Sequence, residues 1–403
     1  MSELVRPEGS EQSFDIVIAG AGPAGLCLAA ALENRRLRVA LIDRQPLESL
    51  SDPVFDGREI ALTHTSVQSL KDMRIWPGIA ADEVSRISDV RVFNGASARC
   101  MHIDHLDGGA DELGYLVPNH LIRRAAYEAV RQRDHVTLFA DTSVSEVRWD
   151  PAGVRVTLSD QRVLRAPLLV AADSRFSEVR RMAGIPTRSR DFGKTMLVCR
   201  MEHERPHGQV ASEWFDHGQT LALLPLNGNR SSTVITLPGS EARRLQELDA
   251  MDFNIEVERR YGSRMGWMRR TGEVFAYPLV AVLADRFTGP RFALVGDAAV
   301  GMHPVTAHGF NLGLRGAARL AREIDRAAFD RRDIGAPAVL TPYERGHRRA
   351  TRPLYAATNA IVGLYTDERL PARLARQVLV RIGDRVRPFK RALASSLTQA
   401  SVS

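Results

Sequence analysis

Gly20, Gly22 and Gly25 stand in the run GAGPAG, and Asp43 follows Gly20 by 23 residues. Gly20 permits a tight turn, and Gly22 lets backbone approach a pyrophosphate with no Cβ in the way. Gly25 lets a helix pack close to the preceding strand. A carboxylate at Asp43 is spaced to bond a ribose hydroxyl, so the set reads as a dinucleotide site. A second acid, Asp297, ends an apolar strand at 291–295 and suits a ribose or ribitol hydroxyl. Behind it an irregular loop with Pro304 and Gly309 runs into a long helix predicted over 310–328. The backbone N–H groups of Gly309, Phe310 and Asn311 then sit at a helix N-terminus and favour negative charge on a bound ring. His303 and His308 flank Pro304; with no third ligand suggested, they read as pocket lining and not as zinc ligands. Two residues are open between roles. Arg58, in the loop after Pro46 and Pro53, is a cofactor contact or a surface arginine. Asn119, at the head of a helix, is a cofactor contact or a cap.

These residues need elements to hold them. The apolar runs 14–19 and 39–42 read as buried strands joined by a helix behind Gly25, a βαβ unit. Residues 66–73 read as a helix with Ser66 as its cap, and 84–99 alternates like a strand. Asn119 opens a helix whose apolar stripe is Leu121, Ile122, Ala125, Ala126, Ala129 and Val130. Segments 136–139, 143–149, 154–158 and 163–165 read as strands, and the apolar strand 168–172 ends in Asp173. Between 186 and 275, short alternating segments predict an antiparallel sheet with a helix at 240–261. Such a lobe can wall a pocket for an apolar ligand. Pro337 and Pro342 frame a loop, and 343–398 reads as helix broken into pieces, amphipathic and either packed on the core or docked on a membrane or partner.

A chain of 403 residues exceeds what one core serves, so two domains are expected. Cys27, Cys100 and Cys199 are too widely spaced for a metal cluster and suit a reducing cytoplasm. No run of about 18 apolar residues spans a membrane. The first thirteen residues resemble neither a signal nor a transit peptide and are expected to fray. The formal net charge of +7 fits a solvated basic face, an anionic phospholipid surface or an acidic partner. No helix-turn-helix, zinc-finger or RNA-recognition signature points to nucleic acid.

Three segments together carry a family resemblance: GAGPAG at 20–25, AADSRFSEVR at 171–180 and GDAAVGMHPVTAHGFNLGL at 296–314. They resemble the three fingerprints of the single-component flavoprotein aromatic hydroxylases. Within that class FDGREIALTHTSV, LGYLVPNHLIRRA and PVTAHGFNLGLRGA are most similar to the ubiquinone-biosynthesis hydroxylases. The nearest likeness is to the branch in which one enzyme hydroxylates several ring positions. The resemblance implies an α/β fold like that of para-hydroxybenzoate hydroxylase. A Rossmann-like FAD-binding domain would cover 14–80, 115–185 and 276–335. An interleaved antiparallel β-sheet substrate domain would cover 81–114 and 186–275, with a C-terminal helical region over 336–403.

The same resemblance implies FAD bound through Gly20, Gly22, Gly25 and Asp43, with Arg58 and Asn119 lining the cofactor. Asp297 would meet the ribitol and pyrophosphate, and Pro304, Gly309 and Asn311 would lie beside the flavin ring. NADH or NADPH would reduce the flavin transiently, and O2 would form a C4a-hydroperoxide that a polyprenylated phenol attacks. No catalytic side chain is expected. A ubiquinone-biosynthesis complex and the inner membrane face are the partners implied for an otherwise cytoplasmic protein. Four positions depart from the family pattern: Asp43 replaces Glu, Ser174 replaces Gly, Val300 replaces His, and Gly316 stands where Asp is frequent. Alternatives are a hydroxylase of a soluble aromatic, a flavoprotein reductase of isoprenoid double bonds, and a flavin-containing structural subunit.

Overall fold

The structure, a computed structural model, describes residues 11–32, 36–95, 100–108, 111–216, 218–304 and 308–366. Five strands run parallel in one sheet, in the order Val136–Phe139, Val39–Ile42, Ile16–Ala19, Leu168–Ala171, Phe292–Leu294. Thr288–Gly289 adds an antiparallel edge. The central strands are apolar at every position because helices or further strands cover both faces. Ile16, Val17 and Ile18 are fully buried; each contributes about 1.5–3 kcal/mol by leaving water. Pro23 opens the helix Pro23–Ala31, where its missing N–H costs nothing. The small residues of that helix let it lie close to the sheet and against the helix Gly309–Phe329.

The polar start is more ordered than expected. Glu11–Ser13 forms a strand paired in parallel with Val163–Arg165, so backbone bonding holds a segment whose side chains could not. Residues 1–10 of the expected frayed stretch lie outside the described residues. The helix His64–Asp72 is capped by Thr63 and not by Ser66: the Thr63 hydroxyl accepts the Ser66 N–H at 3.2 Å. The extended backbone that a cap requires falls at Thr63, ψ 159°.

The second large sheet is mostly antiparallel, and its strands come from distant parts of the chain. Its order runs Val300–Gly301, Phe275–Ala284, Thr187–His203, Arg230–Pro238, Gln219–Pro225, Val210–Asp216, Asp89–Asn94, Cys100–Ile103. The expected single helix near 240–261 is two, Gly239–Gln246 and Ala250–Arg260. Asp249 starts the second by accepting the Asp252 N–H at 2.8 Å. Both helices cover one face of the sheet. There Leu197, Leu221, Leu223, Ile235 and Leu237 pack with Phe253, Val257 and Tyr261.

The expected loop between Pro337 and Pro342 is helix instead, the first turns of Pro337–Thr366. Pro337 suits a helix start, and Pro342 removes one N–H without breaking the run. Burial of Val339, Leu340 and Tyr343, with the Tyr343 hydroxyl on the Leu294 carbonyl at 2.5 Å, offsets that loss. The rest of the expected C-terminal helix, 367–398, lies outside the described residues. No described helix is long and apolar enough to cross a membrane.

Candidate active site

Sheet order brings the three motifs together. Strands 16–19, 168–171 and 292–294 are neighbours and parallel, so Gly20, Asp173 and Asp297 leave the same edge side by side. That edge is where ligands bind in open α/β sheets. Gly20 has φ +107°, and a Cβ there would lie 2.5 Å from the Ala172 carbonyl oxygen. A Cβ on Gly25 would lie 1.8 Å from the Gly20 oxygen, so both glycines are required by the fold itself. Gly22 differs: its Cβ position meets nothing within 4 Å. Asp43 closes the turn by accepting the Ala21 N–H at 2.7 Å and the Gln45 N–H at 2.8 Å. Each carboxylate oxygen retains capacity for a hydroxyl donor.

The third motif is wedged between two helix starts. Gly296 has φ +59°, and its Cβ position is 2.5 Å from the Ala24 Cβ of the first helix. A Cβ on Gly313 of the later helix would lie 3.4 Å from the Gly296 Cα. Asp297 therefore stands between the N-terminal turns of Pro23–Ala31 and Gly309–Phe329. The central motif holds it there: Arg175 donates through Nη2 to Asp297 Oδ2 at 3.0 Å and through Nη1 to the Val280 carbonyl at 3.0 Å. Arg180, buried, donates to the Arg175 and Ala298 carbonyls. Neither arginine was singled out from sequence; their spacing in AADSRFSEVR was visible, their partners were not. Asp173 turns away, accepting the Glu178 and Val179 N–H groups, and burial pushes its carboxyl above the usual range.

Arg58 and Asn119 meet at an acid that sequence reasoning passed over. Asp56 accepts Arg58 Nη2 at 2.5 Å and Asn119 Nδ2 at 2.7 Å, and its carbonyl accepts the Tyr277 hydroxyl. Burial opposes ionisation of Asp56, but the bonds from Arg58 and Asn119 outweigh it and hold the carboxyl below the usual range. Asn119 is buried in the first turn of its helix and makes no cap. Arg58 lies over the Tyr277 ring, 5.4 Å from its centroid, with its side chain 44% exposed. The signal for Asp56 was its place two residues before Arg58.

At the later helix start, Asn311 is buried. Its Nδ2 donates to the Ala61 carbonyl at 2.8 Å and its Oδ1 accepts the Thr63 N–H at 3.2 Å. The side chain fixes the helix to strand Glu59–Leu62. Gly309 has open space at its Cβ position, and Pro304 is exposed. Residues 305–307 of the predicted loop lie outside the described residues. His303 and His308 are both buried. His303 packs edge-on against Phe192, and burial, helped by Lys194 and Arg190, lowers its imidazole to about 4.

Residues 13–352 match the family described as FAD binding domain. The chain is 44% identical over 388 residues to ubiquinone hydroxylase UbiM of Neisseria meningitidis, covering 95% of this chain and 84% of the relative. It is 38% identical over 382 residues to ubiquinone hydroxylase UbiL of Rhodospirillum rubrum, covering 95% and 89%. In fold it is similar to the p-nitrophenol 4-monooxygenase PnpA of Pseudomonas putida. That likeness has a TM-score of 0.77 at 16% identity and covers 96% of this chain and 99% of the other.

Proposed function

The chain belongs to the FAD-binding-domain family of flavoprotein monooxygenases, and from that premise we propose that it hydroxylates the aromatic ring of a polyprenylated phenol in ubiquinone biosynthesis. The substrates are the phenol, O2 and NADH or NADPH. The supporting observation is the wedge at Gly296–Asp297. Two helix N-termini, each preceded or opened by a glycine with open space at its Cβ position, flank one carboxylate. FAD is long and carries a diphosphate, a polyol and a ring, and this line of groups fits those three parts in order.

In this reading the Gly20–Gly25 turn and the first helix start hold the pyrophosphate, and Asp43 accepts from the adenosine ribose. Asp297 accepts from ribitol hydroxyls, oriented by Arg175. The N–H groups near Gly309 to Asn311 face the ring, and Asn311 fixes their direction through Ala61. Asn119 orients Asp56, which in turn aims Arg58 along the cofactor. When bound, FAD supplies the hydride acceptance and oxygen activation that side chains lack. The face of the antiparallel sheet opposite the helices Gly239–Gln246 and Ala250–Arg260 excludes water and holds the ring and tail. In this reading residues 14–80, 115–185 and 285–335 form the cofactor domain and 81–114 with 186–284 the substrate domain, the boundary expected at 275 moving because Phe275–Ala284 pairs within the antiparallel sheet; the helical region is described over 336–366. The net charge of +7 supports work in the cytoplasm at an anionic inner-membrane face, where a lipid-tailed phenol resides. A complex of biosynthetic enzymes is the second partner of that surface.

The test is NAD(P)H oxidation by the purified flavoprotein with and without a short-chain prenylated phenol under 18O2. Faster oxidation with one labelled oxygen in the product supports the reading. Absence of both with every prenylated ring tried overturns it.

A further inference from the structure

The large antiparallel sheet has two unlike faces. Trp214 points to the helix-covered face, where its ring packs edge-on against Tyr261 at 5.6 Å. Side chains alternate along a strand, so Glu213 points to the opposite face. Register places it in a row. Glu213 stands opposite Val92 on one neighbour and Ala222 on the other, and the row continues through Val234 and Val198 to Phe275. Every other member of that row is apolar. Phe275 packs edge-on against Phe55, which adjoins the Asp56 and Arg58 cluster.

This face reaches the later helix start through one residue. Asn311 holds the Ala61 carbonyl, and Ala61 packs in an apolar cluster with Ala211 and Leu224 of the sheet. Ala211 precedes Glu213 by two positions and shares its face. Glu213 therefore stands one step along the strand from the contact that joins the wall to the cofactor's ring end.

Among the described residues no hydrogen bond or ion pair engages the Glu213 carboxyl. The residue is half-buried on this face, so its carboxyl remains open to a ligand's hydrogen bond. Burial pushes the carboxyl up to about 8, so the acid is largely protonated at neutral pH. Arg200, on the same face two residues from Val198, is already held by Glu59 at 2.7 Å. Lys194, farther along the same face, donates to the Gly218 carbonyl, so among the described residues neither cation stands beside Glu213, and a ring carboxylate buried there would be poorly compensated.

Resting on the phenol-hydroxylase reading, we infer that Glu213 is the specificity-determining residue of the substrate wall. As a neutral acid it donates a hydrogen bond to a hydroxyl or methoxy oxygen of the ring and excludes rings that carry a carboxylate.

The experiment compares kcat/KM of the holoenzyme for a short-chain prenylated phenol and for its ring-carboxylated counterpart, scored by labelled-oxygen incorporation. The wild type is expected to favour the phenol at least 100-fold. Glu213→Gln, which keeps a neutral donor, stays within about threefold of wild type on the phenol. Glu213→Leu raises the phenol KM about tenfold, and Glu213→Arg narrows or reverses the preference. Flavin absorbance verifies that each variant is folded and loaded. If the flavin-loaded Leu and Arg variants keep the wild-type preference, the role of Glu213 is overturned while the hydroxylase reading stands. A wild type that oxygenates neither ring overturns that reading and this inference with it.

Discussion

Arg175 and Asp297 are 122 residues apart in the chain and 3.0 Å apart in the structure, guanidinium Nη2 to carboxylate Oδ2. The same guanidinium holds the Val280 carbonyl in the antiparallel sheet. One side chain thus joins the central motif, the third motif and the second lobe.

Arg175→Ala is expected to loosen Asp297 more than it destabilises the fold. Both partners are partly exposed, 31% and 40%, so the ion pair contributes about 1 kcal/mol or less to folding. FAD affinity of the apoprotein is expected to fall about tenfold, about 1.4 kcal/mol. Arg175→Lys recovers part of this, since an ammonium cannot serve both acceptors in the same geometry. Titration by flavin fluorescence with parallel denaturant unfolding separates the two effects.

Gly22 and Gly25 predict opposite outcomes for one substitution. Gly22→Ala meets no protein atom, so unfolding is expected within about 0.5 kcal/mol of wild type while FAD binding weakens strongly. Gly25→Ala drives a Cβ into the Gly20 carbonyl and is expected to lose both stability and cofactor. Equal loss of FAD and of stability by Gly22→Ala would mean that the open space there serves no ligand.

Ser174 has φ +118°, a conformation that suits glycine, at the position where the family resemblance leads one to expect glycine. Its hydroxyl accepts the Phe176 N–H at 3.3 Å, a weak return for the strain. Ser174→Gly is expected to stabilise the protein by about 1 kcal/mol, the relieved strain exceeding the added unfolded-state entropy. Chemical denaturation of the apoprotein reads this directly, and a loss of stability would show that the hydroxyl bond governs the turn.

His347 carries an acid-sensitivity prediction. It is buried, both ring nitrogens lack hydrogen-bond partners among the described residues, and burial with Arg319 and Arg315 nearby lowers its pKa to about 4. As pH falls below the ordinary value of 6.5, the unfolded chain takes up the proton first. Stability is then lost from pH 6.5 down to about 4, by about 3 kcal/mol in total, and the loss levels off below that. His303, also near 4, adds a parallel loss. His347→Phe is expected to flatten part of this slope, and unfolding free energies at three pH values between 7 and 4 check it. The same ring explains Gly316, whose Cβ would lie 2.8 Å from it: His347 occupies the space that a side chain at 316 would need.

Much of the candidate site was proposed from residue order, and what escaped has a common cause. Asp43, Asp297 and the glycines announce themselves because a turn or strand end dictates their chemistry locally. Asp56, Arg175, Arg180 and Glu213 escaped because their meaning lies in partners far along the chain. The Thr63 cap and the helix through Pro342 were misjudged for a related reason. A cap depends on backbone angles at one residue, and a proline's local cost can be outweighed by burial of its neighbours.

The sequence by itself determined the parallel strands, the glycine turn and the helices behind them. Periodicity and glycine placement act over a few residues and need no distant partner. Only the tertiary structure decided that three motifs share one sheet edge, that Asp297 lies between two helix starts, and that Glu213 faces inward. Strand order and register are settled by long-range burial, and a shift of one residue would turn Glu213 to the opposite face.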